Sequence, residues 1–359
     1  MIKKAILAMG VSLALGCASI GVPRVPSLDC DDVIETERHG TVFYSCEQDT
    51  TETVLETFDL VGRVKQYGKT TFGFEETVNY RQYVNTGRQR PRMSYRLYVS
   101  PRNMVSLEPA DEVFLLFSQE YRNEIEEPVM IWSRKDDLLD EQEYYRAHDY
   151  DTYRRALTNY SPGATITPDF IARNNEWLIR TVVHEDWHFN MIHVWGNGLD
   201  TDLEESVATI MGHAGSIGFT SINYGLNAAI YTEALNSLGK WSFFSETVNM
   251  TYNRLENLYA QNLPWEETKD AKAEILSLVE QRGFIPLNNA GVLGALPYTR
   301  LFPLAYDVYV THPDAGELGR ILMQCPDDEE KGIEFLRRAR YMSANQRAVI
   351  SFEDLPVNP

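Results

Sequence analysis

Two histidines stand four residues apart in the stretch His184-Glu185-Asp186-Trp187-His188, with a carboxylate directly after the first. The preceding residues, Glu176 to Val183, read as helix. At 3.6 residues per turn, His184, Glu185 and His188 project at about 0°, 100° and 40°, so all three share one face. Two imidazoles one turn apart can chelate a single zinc ion, and the neighbouring carboxylate is placed to take a proton from water. In a chain with 7 His and 52 Asp+Glu among 359 residues, composition alone would give about 0.02 such HExxH matches. The bland alternative is a surface helix with two solvated histidines. Val182, Val183, Phe189 and Met191 flank the motif, and they argue for a buried helix instead.

Two histidines do not complete a zinc site; a third protein ligand is required. Downstream of a Gly196-Asn197-Gly198 break lies Asp202-Leu203-Glu204-Glu205-Ser206-Val207-Ala208-Thr209, the start of a helix that can return past the first. Glu204 and Glu205 could each reach a metal. Glu205 is the better placed, because Ala208, Thr209 and Gly212 on its face are small enough for close helix approach. Glu204 then sits about 100° away. The alternative for the acidic pair is charge at a helix N-terminus.

HExxH followed by a distant Glu, with Ala three residues beyond it, resembles the gluzincin metallopeptidases, to which thermolysin and the zinc aminopeptidases belong. More narrowly, Glu205-Ser206-Val207-Ala208-Thr209 is similar to the ESxAT stretch of a family of predicted bacterial zinc aminopeptidases, many of them lipoproteins. Leu287-Asn288-Asn289-Ala290, followed by Tyr298 and Pro303, resembles that family's LNNA segment, and Tyr160-Ser161-Pro162-Gly163 its YSxxG strand. The resemblance covers about residues 155 to 310. It departs from the family pattern at Phe189, where Gln is usual, and at Glu204, where Asn is usual. No Gly-x-Met-Glu-Asn stretch, which larger zinc aminopeptidases use to hold a free amine, is present in the sequence.

The resemblance implies a zinc-dependent peptidase acting on a peptide or protein substrate, and more narrowly an aminopeptidase. His184, His188 and Glu205 would be the metal ligands and Glu185 the general base. In gluzincins a Tyr or His outside the zinc motif commonly donates to the oxyanion, and Tyr298 is the candidate here. Asn288 can cap a helix beginning near Ala290, and Pro297-Tyr298 interrupts it. The alternative is a core tyrosine among Leu301, Phe302 and Leu304, with Tyr306 or His213 as substitute donors.

The elements that must position these residues divide the chain. Residues 18–40 read as a tether and 41–135 as strand-rich, with short runs at 41–44, 95–99, 113–117 and 129–132. Residues 136–345 read as helical, with apolar spacing over 139–159, 171–195, 203–213, 225–239, 243–261, 265–282, 291–310 and 328–343. Residues 346–359 form a C-terminal tail. The expected fold is therefore α+β: a mostly helical, zincin-like catalytic region preceded by a strand-rich part.

Residues 1–17 read as an address. Lys3 and Lys4 precede an apolar stretch from Ala5 to Leu15, far short of the roughly 20 residues of a membrane span. Leu13-Ala14-Leu15-Gly16-Cys17 resembles a bacterial lipobox, which would make Cys17 the lipidated N-terminus; cleavage near Ala18 without lipid is the alternative. With Ala18 rather than Asp after the Cys, the resemblance points to a lipid anchor on the outer membrane of a bacterial cell envelope, facing periplasm or surface. In that oxidising compartment Cys30 and Cys46 are expected to form a local disulfide, leaving Cys325 as a buried thiol. A net charge of −19 would repel phosphate backbones and argues against nucleic-acid binding. The rival to an enzyme is a non-catalytic surface lipoprotein with a structural or vestigial zinc site. Glu185 separates the two, since a structural site needs no general base.

Overall fold

The chain's first hairpin is made by β1 (Val33–Arg38) and β2 (Thr41–Cys46), antiparallel with Val33 opposite Cys46 and Arg38 opposite Thr41. His39 and Gly40 form its two-residue turn at φ 53° and 77°, the left-handed pair that suits the twist of a tight hairpin. The computed structural model describes residues 28, 30–85, 94–105, 129–132, 135–157, 164–196, 198, 199 and 201–341. Cys30 and Cys46 are joined in a disulfide with Cα atoms 6.1 Å apart, and Cys325 is a buried thiol. The hairpin thus begins inside the stretch expected to be a tether. The expected signal segment and Cys17 fall outside the described residues, as do 113–117, 160–163 and the tail 346–359.

Along β2 the side chains alternate, and Phe43 stacks on Phe58 at 4.7 Å. Phe58 belongs to α1 (Glu52–Phe72), a 21-residue helix within the part expected to be strand-rich. Thr51 caps its first turn by accepting from the Val54 amide, and Gly73 ends it at φ 71°. The β-branched residues at Thr53, Val54, Thr57, Val61 and Val64 lower local helix propensity. Burial of Val54, Phe58, Val61 and Val64 along one stripe overrides that preference.

The second sheet has the order β4-β3-β5: β3 (Ser94–Pro101) lies between β4 (Val129–Trp132) and β5 (Tyr150–Leu157), both antiparallel to it. The expected helix over 139–159 is therefore two elements. α2 (Lys135–Ala147) stops, Asp149 turns at φ 65°, and β5 pairs Tyr150 with Pro101 and Leu157 with Ser94.

The rest of the described chain is helical: α3 (Pro168–Ile171), α4 (Asn175–Phe189) with a π-turn over Asn190–Val194, α5 (Thr201–Tyr224), α6 (Ala229–Tyr259), α7 (Trp265–Gln281), α8 (Asn289–Thr299), α9 (Phe302–Thr311), α10 (Ala315–Leu322) and α11 (Glu329–Ala339). The two helices expected at 225–239 and 243–261 are one, because Gly239 is tolerated inside it. Conversely, 291–310 is two helices, with Pro303 in the first turn of the second. α10 has no counterpart in the sequence reading. The outcome is a mostly helical α+β protein with two small antiparallel sheets. No helix among the described residues is long and apolar enough to cross a membrane.

Candidate metal centre

α4 is started by Asn174, whose side chain accepts from the Trp177 amide at 2.8 Å. It buries Leu178, Ile179, Val182, Val183 and Trp187, which leaves the face of His184, Glu185 and His188 turned towards α5. α5 comes close because it presents glycine at the crossing. A Cβ on Gly212 would lie 2.9 Å from the Arg180 carbonyl oxygen and 3.2 Å from the His184 Cβ; one on Gly215 would lie 2.7 Å from Val183.

This approach brings three ligand atoms together. His184 Nε2 and His188 Nε2 are 3.1 Å apart, and Glu205 Oε2 stands 3.4 Å from the first and 3.3 Å from the second. Among the described residues, these form the set of His, Cys, Asp and Glu side chains that could hold a metal ion. Tetrahedral ligands about 2.0–2.1 Å from zinc lie ~3.3 Å from one another, so the spacing fits zinc. The Glu205 Oε2 is buried with no hydrogen-bond partner even though two imidazole nitrogens face it. Converging lone pairs without directed hydrogen bonds are what a cation would satisfy.

The sequence offers Glu204 only as a competing ligand or a capping charge. Its Oε1 lies 2.6 Å from His188 Nδ1. That contact assigns the proton to Nδ1, which donates to Glu204 and leaves Nε2 to present its lone pair. Burial pulls the His188 imidazole down, but the Glu205 charge and the hydrogen bond to Glu204 carry it well above its ordinary value. For Glu205, burial works upward and is overcome by His188 and His184, which hold the carboxyl well below the usual range. Burial pushes the Glu185 carboxyl up, against the pull of His184 and His188, a direction that suits a group that takes and returns a proton.

The reverse side of α4 is pinned to α1 and the segment that follows it. Lys65 Nζ donates to both Asp186 oxygens at 3.1 and 2.8 Å, Thr77 Oγ1 donates to Asp186 Oδ1 at 2.5 Å, and Asn79 Nδ2 donates to the Glu185 carbonyl at 3.0 Å. None of these partners was legible from the motif.

Tyr298 is half-buried on α8, which runs through Pro297 and Tyr298 to Thr299 and is not interrupted there as the sequence suggested. As expected, Asn288 caps this helix, accepting from the Gly291 amide at 2.9 Å. The neighbouring Pro297 carbonyl accepts from Ser206 Oγ at 3.4 Å, so α8 docks on α5 one residue from Glu205. Asn289 holds the other end, donating to the carbonyls of Pro101 and Met104 at 3.0 and 2.8 Å. The LNNA segment is thus a clasp between α8 and the end of β3. Of the remaining histidines, His193 is exposed in the π-turn. His213 is buried on α5 with both ring nitrogens unpartnered among the described residues, and burial holds it well below its ordinary value, with the charges of Arg180 and His184 acting in the same direction.

A three-residue candidate metal site is carried by two helices that cross closely at glycines of α5. A family model described as "putative aminopeptidase" matches residues 45–304, a span that includes both site helices and α8. The chain belongs to that family. No curated protein and no solved structure matches it.

Proposed function

We propose that the protein is a zinc-dependent peptidase of the gluzincin type, and within that class an aminopeptidase. The observation that carries the reading is the convergence of His184 Nε2, His188 Nε2 and Glu205 Oε2 at 3.1–3.4 Å, with Glu205 Oε2 buried and unpartnered. Membership of the aminopeptidase family supports the choice of a peptide substrate over another amide.

His184, His188 and Glu205 would hold the metal. Zinc, when bound, acidifies a water molecule and polarises a carbonyl. Glu204 fixes the tautomer and orientation of His188. Glu185 takes the proton from the attacking water and returns it to the leaving amine; burial raises its carboxyl pKa, the direction that favours that exchange. Tyr298, carried beside the Glu205 helix, is assigned the donor role towards the oxyanion. Glu185 argues against a purely structural zinc site, which would need no base.

The same reading puts the protein in the bacterial cell envelope, held to the outer membrane by a lipid on Cys17. The basic and apolar N-terminal sequence ending at Gly16-Cys17 and the Cys30–Cys46 disulfide support this. Intact-mass measurement tests it: a mature chain without acyl mass on Cys17 refutes the anchor. The activity is tested by exposing a peptide library to the zinc-loaded protein and reading products by mass spectrometry. N-terminal trimming that stops on chelation is expected; no metal-dependent cleavage of any peptide contradicts the reading.

A further inference from the structure

Tyr80 carries a feature that the metal centre does not account for. It is fully buried, and its hydroxyl has no hydrogen-bond partner among the described residues. Its backbone sits at φ 56°, a conformation that a bulky L residue rarely adopts and that tends to mark functional sites. The surroundings impose it. The Tyr80 amide donates to the Ala164 carbonyl at 2.6 Å, and its ring stacks on Phe170 at 4.9 Å. The preceding residue, Asn79, bonds the Glu185 carbonyl through Nδ2 and accepts from the Ala164 amide through Oδ1. Asn79 therefore holds the Tyr80 backbone beside the Glu185 turn of α4, and the Tyr80 phenol is fully buried.

Two carboxylates, Glu185 and Asp186, act on that phenol; burial raises its pKa well above the ordinary value and both charges add to the effect. Asp186 is already satisfied by Lys65 and Thr77. The Glu185 carboxylate accepts no hydrogen bond among the described residues, where only its backbone carbonyl is engaged. Tyr80 thus carries a fully buried donor without an acceptor and is tied through Asn79 to the Glu185 turn, where the half-buried Glu185 carboxylate has no donor among the described residues; a buried donor is costly to leave unmet.

We propose that Tyr80 is a positioning residue for Glu185: its phenol donates a hydrogen bond to the Glu185 carboxylate, directly or through one water, and fixes the rotamer from which that carboxylate takes its proton. The role rests on the peptidase reading above, but the hydrogen bond itself does not require turnover to be seen.

Two measurements test it. In a crystal structure of the zinc-loaded protein, the Tyr80 Oη is expected roughly 2.5–2.7 Å from a Glu185 oxygen, or sharing one ordered water with it. A phenol that meets neither overturns the proposal. Tyr80→Phe keeps the ring on Phe170 and removes only the hydroxyl. Zinc content and Tm should be unchanged, KM should stay within about twofold, and kcat should fall roughly tenfold or more, as for a lost hydrogen bond to a charged group. The same substitution in a Glu185→Ala background should cause no further loss. An unchanged kcat, or an equal loss in both backgrounds, overturns the role. Wild-type protein without turnover on the peptide library refutes the peptidase reading alone; the hydrogen bond then stands or falls on the crystallographic distance.

Discussion

Glu204 offers the most discriminating perturbation of the proposed zinc site, because it touches a ligand without being one. Its Oε1 lies 2.6 Å from His188 Nδ1, and both side chains are largely buried. Glu204→Ala leaves the three ligand atoms in place but strips the Nδ1 proton of its acceptor. A hydrogen bond to a charged group contributes about 1.5–3 kcal/mol, and loss of such outer partners typically lowers metal affinity about 10–100-fold. Proton competition modulates that figure. Glu205 and Glu204 raise the His188 pKa well above its ordinary value, against the effect of burial, so in wild type a proton competes with zinc until the pH rises above that pKa. Removing Glu204 lowers the His188 pKa and so weakens the competition. The affinity deficit of Glu204→Ala should therefore be largest at alkaline pH and shrink as pH falls, while wild-type affinity itself falls with acidification. Competition titration against a chelator, with the pH varied and Tm checked at each value, measures both. An affinity within about threefold of wild type at alkaline pH, or a deficit that grows on acidification, refutes this assignment.

Glu185→Gln should retain zinc and lose about 10²–10⁴-fold in kcat; near-normal turnover would remove the base from the scheme. Gly212→Ala places a Cβ 2.9 Å from the Arg180 carbonyl and 3.2 Å from the His184 Cβ, so the two helices must separate. Chemical denaturation should show about 1–3 kcal/mol of destabilisation together with weaker zinc binding, and unchanged values for both would mean that the crossing is not tight. Tyr298→Phe should raise the barrier by about 2.7–4 kcal/mol with zinc content and folding intact. A kcat within a few-fold of wild type makes Tyr298 packing and sends the search for the donor to Tyr306 or His213.

What could be read from the sequence was what is local along the chain. His184, Glu185 and His188 lie within one helical turn and a bit, so their common face follows from helix geometry alone. Glu205 could be singled out because Ala208, Thr209 and Gly212 left room for a close crossing, and the structure places Gly212 against Arg180 and His184. The contact of Glu204 with His188 depends on the angle at which α4 and α5 cross, which no local pattern specifies. The same holds for Lys65, Thr77 and Asn79, whose polar ends reach α4 from more than a hundred residues away in sequence. α1 was hidden for a different reason: its Thr and Val residues favour strand locally, and only tertiary burial of its apolar stripe settles the matter. At 139–159 the helical pattern was extended through β5, whose strand identity comes from pairing with β3.

Zinc content is the measurement closest to the central claim. Protein purified without chelator should carry about one zinc per chain by elemental analysis, as three protein ligands and an open position require. His188→Ala and Glu205→Ala should each lose it while their Tm shows that the fold persists. Wild-type protein that binds no zinc on reconstitution, or zinc that stays unchanged in His188→Ala, would contradict the account.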